Sequence, residues 1–229
     1  MTRAPLARLL QLVSTTLPVG AYSYSQGLEW AASCGVVRDE ATAGEWIAAV
    51  LEHGIAAWDA PWVAALMCAL ERRRYSEVAE LNARFLAGRE TRELRAETLQ
   101  TGGSLLDLLR DADELPVAAL RALEALAAAD GVAFPTAWAA VAVARGIATE
   151  EALVGYLWSW LENSVLAALK SIPLGQRAGQ RLLTRLGGRL DALAATAAAC
   201  PLEQCCNLLP GFALASMHHE SQYTRLFRS

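Results

Sequence analysis

Apolar residues recur at helical spacing along nearly the whole chain, and no stretch alternates apolar and polar residues for long. This periodicity restricts the fold more than any other feature. A helix buries a stripe at 3.6-residue spacing, whereas a half-buried strand needs period two. Composition agrees. The chain has 229 residues, 54% of them apolar and 19% charged, and alanine and leucine dominate. Those two lose least on entering a helix.

Helices are expected near 6–13, 25–34, 42–51, 59–74, 76–88, 90–110, 116–129, 136–145, 149–169, 176–199 and 213–219. Ser23 or Ser25 can cap the second, and Gly35 stops it. Thr42-Ala-Gly-Glu45 reads as a capping box. Asp59-Ala-Pro61 places Asp at a cap and Pro in the first turn. Gly102-Gly103 interrupts one helix and Gly187-Gly188 weakens another. The expectation is an all-α protein, one globular bundle-like domain over 1–229 with roughly ten helices and short connections.

Several function classes are excluded. The formal net charge is −4 and the pI about 5.5, so the basic face of a nucleic-acid binder is missing. Arg8 interrupts what would be the apolar part of a signal peptide. The longest apolar reach, 153–172, is broken by Glu162, Asn163 and Lys170, which argues against a membrane span. A soluble, cytoplasmic chain is expected. Five scattered cysteines do not make a disulfide framework, and most of them read as buried small hydrophobes. No Gly-rich loop ends in Gly-Lys-Ser/Thr, and no serine sits in a nucleophile elbow. No cofactor and no catalytic set are expected.

Metal chemistry has one candidate region. Cys205, Cys206, His218, His219 and Glu220 lie close in sequence and include the ligand types of zinc or nickel. Adjacent cysteines lack the spacing for one ion, and adjacent histidines point to different sides of a helix. A closed structural site is not expected. A weak transient one at His218 and His219 stays open, and with it a small helical metal carrier or metalloenzyme using His218, His219, Cys205 and Cys206.

Polar residues inside apolar helices are more telling. Asn163, Leu166 and Lys170, the only lysine, fall near one face of an apolar helix. Burying the polar ones unpaired costs several kcal/mol, of order 2–7 for an amide. They pair internally, or their face meets another protein. Glu29 is a second such residue. The segment 218–229 raises the same question. Tyr223, Leu226 and Phe227 stand there among Arg225 and Arg228, too few to form a core of their own. They dock on the protein's own body or on a partner.

Four segments together resemble the UreF family of urease accessory proteins. They are Leu17-Pro-Val-Gly-Ala-Tyr-Ser-Tyr-Ser-Gln-Gly-Leu-Glu29, Glu90-Thr-Arg-Glu-Leu-Arg95, Leu169-Lys-Ser-Ile-Pro-Leu-Gly-Gln176 and the segment from His219 to Ser229. They occur in family order and span nearly the whole chain. The resemblance implies an all-α, non-enzymatic and dimeric protein. It would bind the accessory protein UreD (also called UreH) and recruit the GTPase UreG to apo-urease, coupling GTP hydrolysis to nickel insertion. It implies that Tyr223, Arg225, Leu226, Phe227 and Arg228 become ordered on UreD. Arg225 would contact the loop around Tyr22 and Tyr24 near the dimer interface. Glu29, Asp59 and Lys170 would lie on the face that meets UreG. No one of Arg92, Arg95, Arg225 and Arg228 is singled out to reach nucleotide. A helical ligand-binding domain of a regulator fits less well, since no basic DNA-reading helix is present.

Overall fold

The computed structural model describes residues 4–229. Among the described residues every regular element is helical, as the periodicity requires. The α-helices run α1 Ala4–Leu12, α2 Leu28–Ser33, α3 Glu40–Val50, α4 Ala60–Glu71, α5 Tyr75–Ala87, α6 Arg92–Asp111, α7 Val117–Ala129 and α8 Phe134–Ala144. They continue with α9 Thr149–Ser171, α10 Gln176–Gly187, α11 Leu190–Ala199 and α12 Pro210–Glu220. Short 3₁₀ turns lie at Ala21–Ser23 and Leu202–Gln204.

The long helix α9 is the central post. It packs against α11, α10, α2 and α4, with α1, α3 and α8 at its margins. A second block joins α8 to α4 and α6. Helix α8 is buried from Pro135 to Ala142, mostly by alanine, and small side chains let its neighbours approach on several sides. Trp138 is the large exception. It is fully buried, its Nε1–H donates to the Ala152 carbonyl at 3.1 Å, and its ring meets Tyr156 edge-on. One contiguous core threads both blocks.

Local chemistry differs from the sequence expectation at four places. The capping box begins at Asp39, whose carboxylate accepts the Thr42 N–H at 2.8 Å while the Thr42 hydroxyl accepts the Asp39 N–H at 3.1 Å. The opener is thus an Asp-Thr pair rather than Thr42 with Glu45. Gly102-Gly103 does not interrupt α6. A Cβ on Gly102 would lie 2.1 Å from the Val132 carbonyl, so glycine serves close approach there. Gly187-Gly188 does end a helix, and 176–199 is two helices rather than one.

The fourth difference concerns Asp59. The stretch Leu51–Asp59 is a π-helix joining α3 to α4, so the chain is helical without a break from Glu40 to Glu71. Its wider turns precede Pro61, whose ring in a regular α-helix clashes with the carbonyl four residues back. Asp59 has helical dihedrals and caps nothing. Its side chain points inward.

Asn82 shows how polar groups are absorbed. Its amide donates to the Gly131 carbonyl at 2.9 Å and its oxygen accepts from Ala133 N–H and the Thr136 hydroxyl. One buried side chain thereby fixes the turn between α7 and α8.

Candidate partner-docking site

The loop between α1 and α2 is built by unusual backbone. Gln26 and Gly27 both have positive φ, and a Cβ on Gly27 would lie 2.8 Å from the Ser216 amide nitrogen. Glycine lets the start of α2 sit directly against the backbone of α12. This places Glu29, in the first turn of α2, beside His219, near the end of α12.

His219 is fully buried between two carboxylates. Its Nδ1 lies 2.8 Å from Glu93 and its Nε2 3.1 Å from Glu29. Arg225 adds a cation, its Nη1 2.7 Å from the other oxygen of Glu93. Nearby, the Thr91 and Ser216 hydroxyls bond at 2.8 Å, and Thr91 also caps α6 by accepting the Leu94 N–H. Helices α2, α6 and α12 thus meet at one polar knot.

The segment after α12 docks on this knot. Glu29 accepts the N–H groups of Leu226 at 2.7 Å and Phe227 at 3.0 Å. The Arg228 N–H donates to the Ser23 carbonyl at 2.8 Å. The main-chain oxygen of Ser229 accepts from the Ser25 hydroxyl and from the N–H groups of Ser25 and Gln26. Phe227 and Ser229 turn inward and are buried. Leu226 points out, 71% exposed, and Tyr223 stands wholly free. The protein's own body therefore supplies the docking partners of 225–229.

Lys170, at the end of α9, joins the same surface. Its Nζ lies 5.6 Å from the Phe227 ring centre and 6.0 Å from that of Tyr22, within range of cation–π attraction. Tyr22 is exposed, whereas Tyr24 is buried and bonds Gln100 through its hydroxyl. Asn163 donates to the Tyr24 carbonyl at 3.1 Å, so its place in an apolar helix is explained by an internal partner.

Beneath the loop lies a cavity of about 60 Å³, walled partly by Leu94, Phe134 and Trp160, into which Gln26, Asp59, Arg89, Glu97 and Tyr156 bring polar groups. Asp59 pairs with Arg89 at 2.6 Å and accepts the Tyr156 hydroxyl at 3.0 Å. Burial works against the Arg89 charge, and the Asp59 carboxylate outweighs it, raising the guanidinium above its ordinary value. Glu97 accepts from Gln26 at 2.8 Å and from the Ser229 hydroxyl at 3.0 Å. Burial nonetheless pushes its carboxyl up to about 7.

Within one chain, three of the expected site residues are placed as follows. Asp59 is not on an open face; its side chain is only 9% exposed. Glu29 is covered by the segment it holds. Arg225 does not reach the loop at Tyr22 and Tyr24, because Glu93 and the Gln222 and Glu220 carbonyls hold it. Arg228 makes that contact, donating to Gln100 at 2.8 Å beside Tyr24. The residues weighed for a metal are separated by their partners. His219 is committed to carboxylates, His218 stacks on Trp30 with ring centres 4.7 Å apart, and Cys205 lies against Cys200. Among the described residues no group of three His, Cys, Asp or Glu side chains is arranged to hold a metal ion, the ring nitrogens of His219 being taken up by Glu29 and Glu93.

Sequence reasoning missed Glu93, Glu97 and Arg89. Glu93 lies inside a recognised motif, but nothing local distinguishes it from the solvated acids around it.

Comparison with known proteins completes the site. A model of the UreF family matches residues 37–187. The urease accessory protein UreF of Dechloromonas aromatica (strain RCB) is 55% identical over 224 residues, covering 98% of this chain and 97% of the relative. That of Azoarcus sp. (strain BH72) is 56% identical, covering 98% and 96%. That of Janthinobacterium sp. (strain Marseille) is 47% identical over the full length of both chains.

Proposed function

Because the chain belongs to the UreF family of urease accessory proteins, we propose that it is a non-catalytic scaffold of urease maturation, binding UreD (UreH) and recruiting the GTPase UreG to apo-urease. GTP hydrolysis by UreG would then be coupled to insertion of nickel, the cargo of the assembly. The scaffold works in the cytoplasm and as a homodimer.

One observation carries the reading. Residues 225–229 are fixed from below by Glu29 and Glu93 while Tyr223 and Leu226 are exposed, and Lys170 lies between the rings of Phe227 and an exposed Tyr22. Large apolar side chains held outward on an ordered backbone are what a partner surface needs, since their ordering entropy is already spent before binding. Aromatic and arginine side chains are the residue types that dominate such contacts.

Within this reading UreD meets Tyr22, Tyr223, Leu226 and Arg228, with Phe227 and Tyr24 as the buried backing and Arg225 as the strut to Glu93. UreG meets the side that carries Lys170. Glu29 and Asp59 act on that side from beneath, Glu29 by holding the docked segment and Asp59 by fixing Arg89 and Tyr156 under the loop.

The test is a pull-down of the tagged protein from cells expressing urease and its accessory proteins, with and without residues 225–229. Loss of UreD from the truncated bait, with helix content intact, is expected. Full retention of UreD on the truncated bait overturns the assignment.

A further inference from the structure

Two thiols meet where α11 ends. Cys200 is the C-cap of α11, and the 3₁₀ turn Leu202–Gln204 brings Cys205 back beside it. The two sulfurs lie 3.8 Å apart, and each thiol also points at the Pro201 carbonyl, at 3.6 Å. Both residues are half-buried, so a small molecule reaches them, whereas the neighbouring Cys206 is exposed and makes no such pair. A disulfide holds its sulfurs about 2.05 Å apart.

We propose that Cys200 and Cys205 form a reversible oxidation site, closing to an intrachain disulfide by exchange with a low-molecular-weight disulfide of the glutathione class. The Cys200 thiolate attacks one sulfur of the reagent, the reagent's S–S bond breaks, and one thiolate leaves. A mixed disulfide now sits on Cys200. Cys205 gives up its proton and attacks the Cys200 sulfur, and the second reagent thiolate leaves. The protein dithiol is oxidised by two electrons, and the reagent disulfide is reduced to two thiols.

Burial, then the Cys200 contact, pushes the Cys205 thiol up. Cys205 lies beside the Cys200 sulfur, where it must arrive to resolve the mixed disulfide. Closure would staple the base of the connector 200–209, which carries α12 and the docked segment. Asn207 already pins that connector to the Gly88 carbonyl. The proposal stands apart from the scaffold reading, since it concerns only this chain and a thiol reagent.

The experiment treats the full chain with glutathione disulfide, labels free thiols with a maleimide and maps the peptides. Expected is joint loss of label at Cys200 and Cys205, a single cross-linked peptide joining them, and full recovery after dithiothreitol. Cys206→Ser should behave as the parent does. Cys200→Ser should leave Cys205 labelled, and Cys205→Ser should leave a glutathione adduct on Cys200. The proposal fails if both thiols stay labelled in the parent, if the link runs to Cys206, or if Cys205 remains protected in Cys200→Ser. The parent chain alone decides the first two outcomes, so they do not depend on any variant folding.

Discussion

The carboxylate of Glu29 accepts the main-chain N–H of Phe227 at 3.0 Å, across 198 positions of sequence. One acid in the first turn of α2 thereby organises residues that follow α12. It takes two backbone donors and one face of a buried imidazole, and charge-assisted bonds of this kind contribute about 1.5–3 kcal/mol each. Removing that acceptor should free the docked segment before it disturbs the helices. Glu29→Gln is expected to raise amide exchange at residues 226–229 at least tenfold, with far-UV circular dichroism unchanged. Unchanged protection in that segment rules out Glu29 as its anchor.

His219 tests the knot itself. His219→Ala leaves Glu29 and Glu93 facing one another across a cavity without the ring nitrogens they share. Leaving a buried polar group without its hydrogen-bond partner costs about 1–3 kcal/mol, more where that group is charged, and here two carboxylates lose one. Arg225→Ala removes a cation whose side chain is more than a third exposed, and the expected cost is only about 1 kcal/mol or less. Urea denaturation of the two variants should separate them clearly, and equal losses contradict this account of the knot.

Glu97 predicts a pH dependence. Its carboxyl is raised from an ordinary 4.5 to about 7, chiefly by burial, against the lowering effect of the Gln26 and Ser229 donors. Between those values the folded chain holds a proton that the unfolded chain has released. Its contribution is therefore fully present below about 4.5 and is lost as pH rises through about 7. Glu97→Gln should remove this slope, so the stability difference between variant and parent grows in favour of the variant from pH 5 to pH 8. A difference that is flat with pH removes Glu97 as the source.

Asp59 separates a buried pair from a surface contact. Asp59→Ala leaves Arg89 charged, buried and without its partner, at a cost of about 3–5 kcal/mol. Thermal unfolding should show the loss in the isolated protein, with no partner present. If stability is untouched and only complex formation suffers, Asp59 belongs to an exposed face after all.

Lys170 and Tyr223 test the outer surface. Both side chains are exposed, so each alanine variant should keep its stability within about 0.5 kcal/mol of the parent. Lys170→Ala is expected to weaken the UreG-containing complex, and Tyr223→Ala the capture of UreD. Parent-level capture in both variants removes these two residues from the proposed surface.

Much of this was readable in advance, for a physical reason. Helix position depends on neighbours within four residues, so periodicity located almost every helix and excluded strands. The four motif segments lie in the order that the resemblance requires, and Glu29 and Lys170 stood out as polar residues in apolar surroundings. Asp59 was misplaced because Asp-Ala-Pro is also a good helix opening. Only the π-helical stretch before it turns the side chain inward. Within one chain Arg225 pairs with Glu93 while Arg228 reaches Gln100, a division that two arginines three residues apart do not signal locally. Glu93 on α6 decides between them.

By itself the sequence determined the class of fold, the absence of a nucleotide loop or nucleophile elbow, and the presence of an apolar, basic segment that must dock. Those properties reside in short windows of chain. The tertiary structure alone decided what that segment docks on, which of its side chains remain outside, and which acids are buried. Such pairings join residues more than a hundred positions apart, as Glu29 joins Phe227 and Glu93 joins His219. Local spacing carries no record of them. They exist only because packing around α9 brings α2, α6 and α12 to one place, where a carboxylate left without a donor would be too costly to bury.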